Sequence, residues 1–376
     1  MNLPIPTSKS PSHATRLLAA LALATLLAIV CAQGASAKTP KSFYGVDTQD
    51  SLGQSDYRKM ANSNVHVLRL PIYWQLTEPR PSKFDFSRFD AMVKAAAKQR
   101  IGVVPYLYGT PRWVAKQLDH RKCGSKCGVY APRSAKALSA WKAFARKAAA
   151  RYGPGGRFWA MHPGLHREPI RSWQIWNEQN SKTFYKPKPD PRRYAKVLSN
   201  ASKAIRGVDR KADIVLGGMF GTPGGGKGNH SLSTAEFLHK LYRVGGIKRQ
   251  FNGIALHPYS KTVRFVKKQV DYARDALRDA HDLSADLWIT EIGWASGGRK
   301  SALNVGSKRA QAKKVTEAYK TFERNRRAWN VRGVFWYAWQ DSNAANDICF
   351  FCAKAGLTTA KGKSKPSLGA YRRVAR

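Results

Sequence analysis

Leu287-Trp288-Ile289-Thr290-Glu291-Ile292-Gly293-Trp294 is the stretch on which the reading of this chain turns. Leu287 to Thr290 has the apolar, β-prone character of a strand covered on both faces. A carboxylate follows at the point where such a strand opens into a loop. A second stretch repeats the arrangement in Trp173-Gln174-Ile175-Trp176-Asn177-Glu178. Only 23 of the 376 residues are acidic, so two glutamates in apolar and aromatic settings at strand ends point to chemistry rather than to a solvated surface.

Working outward, the same kind of short apolar run recurs along the chain. The expected strands are Phe43–Val46, His66–Ile72, Ile101–Leu107, Ser172–Trp176, Ile214–Met219, Gly253–His257, Leu287–Thr290 and Gly333–Tyr337. Helical patterns lie between them at Ser55–Asn62, Ser87–Gln99, Arg133–Tyr152, Pro191–Val208, Leu232–Val244, Val263–His281 and Arg309–Arg327, with Ser87, Ser134 and Asp190 as N-caps. A short helix is expected at Leu368–Val374. Alternating strands and helices imply an α/β protein with a parallel sheet, and eight units fit a (β/α)8 TIM barrel forming a single domain. The alternative is an open doubly wound sheet. It lacks support, because no Gly-rich phosphate loop follows the first strand. Gly221–Gly228 follows the fifth strand and lacks a Lys-Ser or Lys-Thr, so it reads as a flexible loop.

In such barrels the reactive groups sit at the C-terminal strand ends, where Glu178 and Glu291 fall. Two carboxyl groups in different protonation states are what glycoside cleavage requires. One delivers a proton to the leaving oxygen, and the other attacks or stabilises the cationic sugar. Glu178 is the expected acid/base, its proton held by the charge of Glu291, and Glu291 is the expected nucleophile. The alternatives on the same residues are an inverting hydrolase, a transglycosidase, and a catalytically silent barrel that binds cell-wall polymer.

The Asn177-Glu178 pair and Thr290-Glu291-Ile292-Gly293-Trp294 resemble the retaining glycoside hydrolases of clan A, and the similarity covers the whole chain after residue 37 in element order. The resemblance implies β-linked polysaccharide or oligosaccharide as substrate, cleaved by double displacement. It also implies that Arg69, in Leu68-Arg69-Leu70-Pro71, supports the nucleophile. His257-Pro258-Tyr259 is similar to the superfamily's His-x-Tyr, whose tyrosine hydrogen-bonds the nucleophile. Asn177 would bind the sugar 2-hydroxyl. Trp336 resembles the tryptophan flooring the subsite of the sugar to be cleaved, with Trp339 as its rival. Thr110-Pro111-Arg112-Trp113 is closest to families 39 and 5, whereas Tyr106 and Tyr108 stand where some members carry histidine. Trp74, Trp113 and Trp294 fall just past strands two, three and seven, where indole faces could stack on sugar rings, or could simply pack. Tyr185 is a weaker candidate of the same kind. Glu78, before Pro79, reads as structural.

The N-terminus has a processing pattern. Lys9 and Arg16 precede the apolar run Leu17–Val30, and Ala35-Ser36-Ala37 offers a small-residue cleavage site, so residues 1–37 read as a signal peptide and the mature chain starts at Lys38. The run is short for a membrane anchor. Secretion to an extracellular, oxidising compartment follows. There, Cys123, Cys127, Cys349 and Cys352 favour disulfides, with local pairing the simplest and a four-cysteine zinc site the rival. No metal or other cofactor is expected in the catalytic site. The formal charge is +43, and cleavage lowers it by two. That charge would attract an acidic polymer of the cell wall, or it reflects basic composition spread along the whole chain. No nucleic-acid motif accompanies it, and the chain is expected to be a monomer.

Overall fold

The computed structural model describes residues 38–48, 52–115, 123–221, 231–298, 301, 303–342, 349 and 351–376. The expected signal peptide, residues 1–37, and residues 222–228 of the expected Gly-rich loop lie outside them. Lys41–Arg376 forms one compact unit.

Eight strands close into a parallel barrel in chain order: β1 Tyr44–Asp47, β2 Val67–Tyr73, β3 Gly102–Tyr108, β4 Ser172–Asn177, β5 Asp213–Phe220, β6 Gly253–His257, β7 Asp286–Ile292 and β8 Val331–Tyr337. β1 pairs with β8 through Tyr44↔Val334 to Asp47↔Tyr337, which seals the ring and leaves no sheet edge. The expected strands were right in number and order, and shifted by one or two residues at their ends. β1, β2, β4, β6 and β7 are buried along nearly their whole length, because the ring of helices covers one side and the barrel interior the other.

Side chains alternate across a strand, so every second residue points into the barrel. Val67, Val104, Val215, Ala255, Trp288 and Phe335 meet there as a separate apolar cluster. Gly45 makes room for it: a Cβ at that position would lie 2.4 Å from the Phe335 ring.

The helices follow their capping chemistry. Ser134 accepts from Ala137 N, Asp190 from Arg193 N, and Ser233 with Glu236 forms a reciprocal box. Ser87 is not a cap. It is the first helical residue of Ser87–Lys98, and Asp85 Oδ1 accepts from its backbone N–H at 2.8 Å. The short helices Trp74–Thr77, Arg112–Ala115 and Arg157–Met161 were missed, being too brief to show a 3.6-residue period. The cysteines pair locally, Cys123–Cys127 and Cys349–Cys352, rather than around a zinc ion. Among the described residues no helix is long and apolar enough to cross a membrane.

Candidate active site

The polar layer begins two residues beyond the apolar one on the same strands. Arg69 follows Val67, Tyr106 follows Val104, His257 follows Ala255, Thr290 follows Trp288, and Tyr337 follows Phe335. A period of two keeps each pair on the inward face, so side chains from these five strands converge at the C-terminal mouth.

Arg69 is the centre of this layer and is fully buried. Its Nη1 donates to Asp47 and, at 2.7 Å, to Glu291 Oε1. Nη2 donates to Asn177 Oδ1 at 2.6 Å and Nε to Gln174 Oε1 at 3.0 Å. The Tyr106 ring covers the guanidinium face at 4.1 Å. Burial alone would weaken the arginine's hold on its proton, but Asp47 and Glu291 more than offset that, and the group stays cationic. Asp47, at the end of β1, was not picked out from sequence. It follows the same rule as the two glutamates, a carboxylate closing an apolar strand.

Glu291 accepts a second hydrogen bond on Oε2 from Tyr259 Oη at 2.8 Å. Burial and the glutamate's charge both push the tyrosine's pKa well up, so it remains a donor. Glu178 has different neighbours. Its Oε1 lies 2.9 Å from His257 Nδ1, while His257 Nε2 lies 3.0 Å from Thr290 Oγ1. Burial, and after it the Arg69 charge, depress the His257 pKa well below the usual imidazole range, so its ring is neutral. Glu178 is held well above the ordinary carboxyl value, chiefly by burial and secondly by the charge of Glu291, with Arg69 opposing. The sequence reading assigned this shift to the second charge; desolvation is the larger cause.

The backbone at the end of β4 is bent to place this group. Trp176 and Glu178 both adopt positive φ, 73° and 45°, a conformation that costs non-glycine residues energy and is tolerated where the surroundings impose it. Glu178 N donates to Gly218 O at 2.8 Å. Gly218 is there for space, since a Cβ would lie 1.9 Å from His257 Nε2. One oxygen of Glu178, one of Glu291 and a ring nitrogen of His257 lie within 4.8 Å of one another. Such a trio could ligate a cation, but both imidazole nitrogens are already engaged by protein groups.

Of the two alternatives for the tryptophans, stacking on sugar or packing, most take the second. Trp74 and Trp294 are fully buried; Trp74 packs against Trp141 and Phe144 and donates to Glu78 Oε2, and Trp294 donates to Ser260 O. Trp336 faces outward from β8, packs on Trp294 and donates to Ala355 O. Its neighbour Tyr337 has the inward parity. Trp339 is buried with its indole N–H on Asp56. Sequence located these indoles relative to strand ends but not the face they take. Trp113 alone of the group remains half-exposed, packed edge-on against Trp74. Tyr185 is buried against Trp176, and Glu78 is structural, accepting from Trp74 and Ser82.

A closed parallel barrel with two unlike carboxyl groups across its C-terminal mouth is the architecture of many glycosidases, and solved structures of that class superpose on it. A family 39 glycoside hydrolase from Bacteroides cellulosilyticus WH2 is 18% identical with a TM-score of 0.62, covering 90% of this chain and 65% of that one. An exo-β-1,4-mannosidase from Opitutaceae bacterium strain TAV5 is 16% identical with a TM-score of 0.57, covering 90% and 62%. A family 39 β-xylosidase from Caulobacter crescentus is 16% identical with a TM-score of 0.63, covering 89% and 72%. The chain thus spans less than two thirds of the first two, and the likeness is one of fold. No curated protein matches it by sequence. The model of a family described as beta-galactosidase, glycoside hydrolase family 42, matches residues 44–191, and that of the glycosyl hydrolase catalytic core matches residues 174–371, more than half of the chain. The chain belongs to the glycosyl hydrolase catalytic-core family.

Proposed function

We propose that the enzyme cleaves β-linked oligosaccharide or polysaccharide with retention, Glu291 acting as nucleophile and Glu178 as acid/base. The observation that carries this is the 4.8 Å limit on the carboxyl oxygens. Retaining enzymes hold their carboxyl groups about 5 Å apart, whereas inverting ones leave about 6.5–9.5 Å for an intervening water.

The asymmetry of partners supports the division of labour. Glu291 accepts from the Arg69 guanidinium and from Tyr259 Oη, with His257 Nε2 3.5 Å from its Oε1. Glu178 is kept protonated by burial and by that charge. In the first step Glu291 attacks C1, the C1–O bond breaks, and the Glu178 proton goes to the departing oxygen. The new ester removes the charge on Glu291, and with it one cause of Glu178's high proton affinity. Glu178 then takes a proton from water as the hydroxyl adds to C1 and Glu291 leaves as a carboxylate. Asn177, its Oδ1 held by Arg69, keeps its amide N–H groups for a sugar hydroxyl. Secretion is part of the same reading, supported by the two disulfides.

The test uses 4-nitrophenyl β-D-xyloside, β-D-mannoside and β-D-galactoside beside β-linked polysaccharides. Glu291→Ala should lower turnover by on the order of 10⁶-fold, with partial rescue by azide. Glu178→Ala should lose about 10²–10⁴-fold on polysaccharide but far less on the aryl glycosides, whose leaving groups need no proton. Wild-type turnover in Glu291→Ala would end the proposal.

A further inference from the structure

Cys349 and Cys352 close a four-residue loop after β8 that the chemistry above does not use. Inside it, Phe351 is half-buried, and its ring meets Tyr259 edge-on at 4.9 Å and Tyr337 at 6.3 Å. Tyr259 is the donor to Glu291 Oε2, and Tyr337 is the inward-facing end of β8. Phe351 therefore stands at the mouth on the nucleophile's side, backed by two tyrosines, with part of its surface uncovered.

The chain just after this loop is tied to the barrel. Lys354 O accepts from Ser296 N at 2.9 Å, Gln311 Nε2 at 3.2 Å and Lys365 Nζ at 3.2 Å. Ala355 O accepts from Trp336 Nε1 at 3.0 Å and Gln311 Nε2 at 3.1 Å. Gln311 and Lys365 are themselves buried, Lys365 in an ion pair with Asp341. Cys352 is thus fixed from its C-terminal side. The disulfide carries that fixation back across Phe351 to Cys349, so the ring is held from both ends. Closing so small a loop adds little to global stability and acts on local shape.

We propose that Phe351 is a substrate-contacting wall of the sugar site, and that the Cys349–Cys352 disulfide is the device that holds it there. A phenyl ring offers no hydrogen bond, so its partner is the apolar C–H face of a pyranose seated beside Glu291. The proposal rests on the active site assigned above and concerns binding rather than bond cleavage.

The experiment measures kcat and KM on whichever of the three 4-nitrophenyl glycosides is cleaved fastest, with thermal melting of each variant. Phe351→Ala should raise KM about tenfold, the loss of one aromatic contact, with kcat changed by less than about threefold. Phe351→Tyr, which keeps the ring, should stay near wild type. Cys349→Ser/Cys352→Ser should reproduce much of the KM increase, and Cys123→Ser/Cys127→Ser should not. An unchanged KM in Phe351→Ala overturns the wall. A fall in kcat alone overturns it too, since Phe351 would then act only through Tyr259. An unchanged KM in Cys349→Ser/Cys352→Ser overturns the role of the disulfide. Failure of the wall would leave wild-type turnover and its dependence on Glu291 intact, so the two proposals fail separately.

Discussion

The lower interior of the barrel, filled by Val67, Val104, Val215, Ala255, Trp288 and Phe335, lies beneath an upper interior filled by Asp47, Arg69, Gln174, Asn177, His257, Thr290 and the two glutamates, and Arg69, His257 and Thr290 stand two residues beyond Val67, Ala255 and Trp288 on the same strands. The lower layer has no charge and closes the barrel against water from below. The upper layer is nearly as buried but consists of ionisable and polar groups, each matched to a partner. The difference teaches where the leverage of the site comes from. In a dry setting a single charge acts strongly on its neighbours, so Glu178 feels the charge of Glu291 and, opposing it, that of Arg69, which is shared between Asp47 and Glu291. The apolar layer supplies the low dielectric, and the polar layer supplies the direction.

The sharpest way to break this comparison is Asp47→Asn. Removing one member of a fully buried ion pair should destabilise the protein by about 3–5 kcal/mol, read by chemical denaturation. The same change leaves Arg69 less compensated, and its charge then bears harder on Glu178. The alkaline limb of kcat/KM, where Glu178 loses its proton, should move to lower pH. A variant that loses stability while the limb stays in place would reduce Asp47 to scaffolding.

Phe335→Ala probes the other layer. It should cost about 3–5 kcal/mol through the cavity it leaves, yet leave the pH limbs in position, because no charge has moved. A displaced limb would mean that the two layers are not separable as drawn.

The smallest effect is a slope. The folded-state pKa of Glu178 lies above its ordinary value of 4.5, so the folded form binds the proton more tightly. The stability this gives is fully present below about pH 4.5 and is lost as pH rises toward the folded value. Glu178→Gln should remove that loss, so its stability relative to wild type should improve with rising pH above 4.5. His257 has the opposite sign: its depressed pKa costs stability as pH falls below its ordinary 6.5, in the variant and in wild type alike. A stability difference independent of pH would contradict a neutral Glu178.

Much of this was legible in the sequence, for a definite reason. A strand covered on both faces must be apolar, so Leu287–Thr290 and Gly253–His257 are recognisable alone, and a carboxylate at the end of such a run stands out. Asp47 was legible by the same rule, one residue past its strand as read, and was missed. The tryptophans were less legible, because a position just past a strand fixes the face of the barrel but not the direction of a side chain. Trp336 differs from inward-facing Tyr337 by one residue, and one residue of parity separates the helix side from the cavity. Gly218 had no signal at all, since its reason is the imidazole of another strand.

The measurement that bears most directly on the central claim is proton NMR of the first sugar released from a β-linked substrate by the wild-type enzyme, before spontaneous mutarotation. Two displacements through Glu291 predict the β anomer as the initial product. Initial release of the α anomer would mean a single displacement by water, and would contradict the assignment of Glu291 as nucleophile.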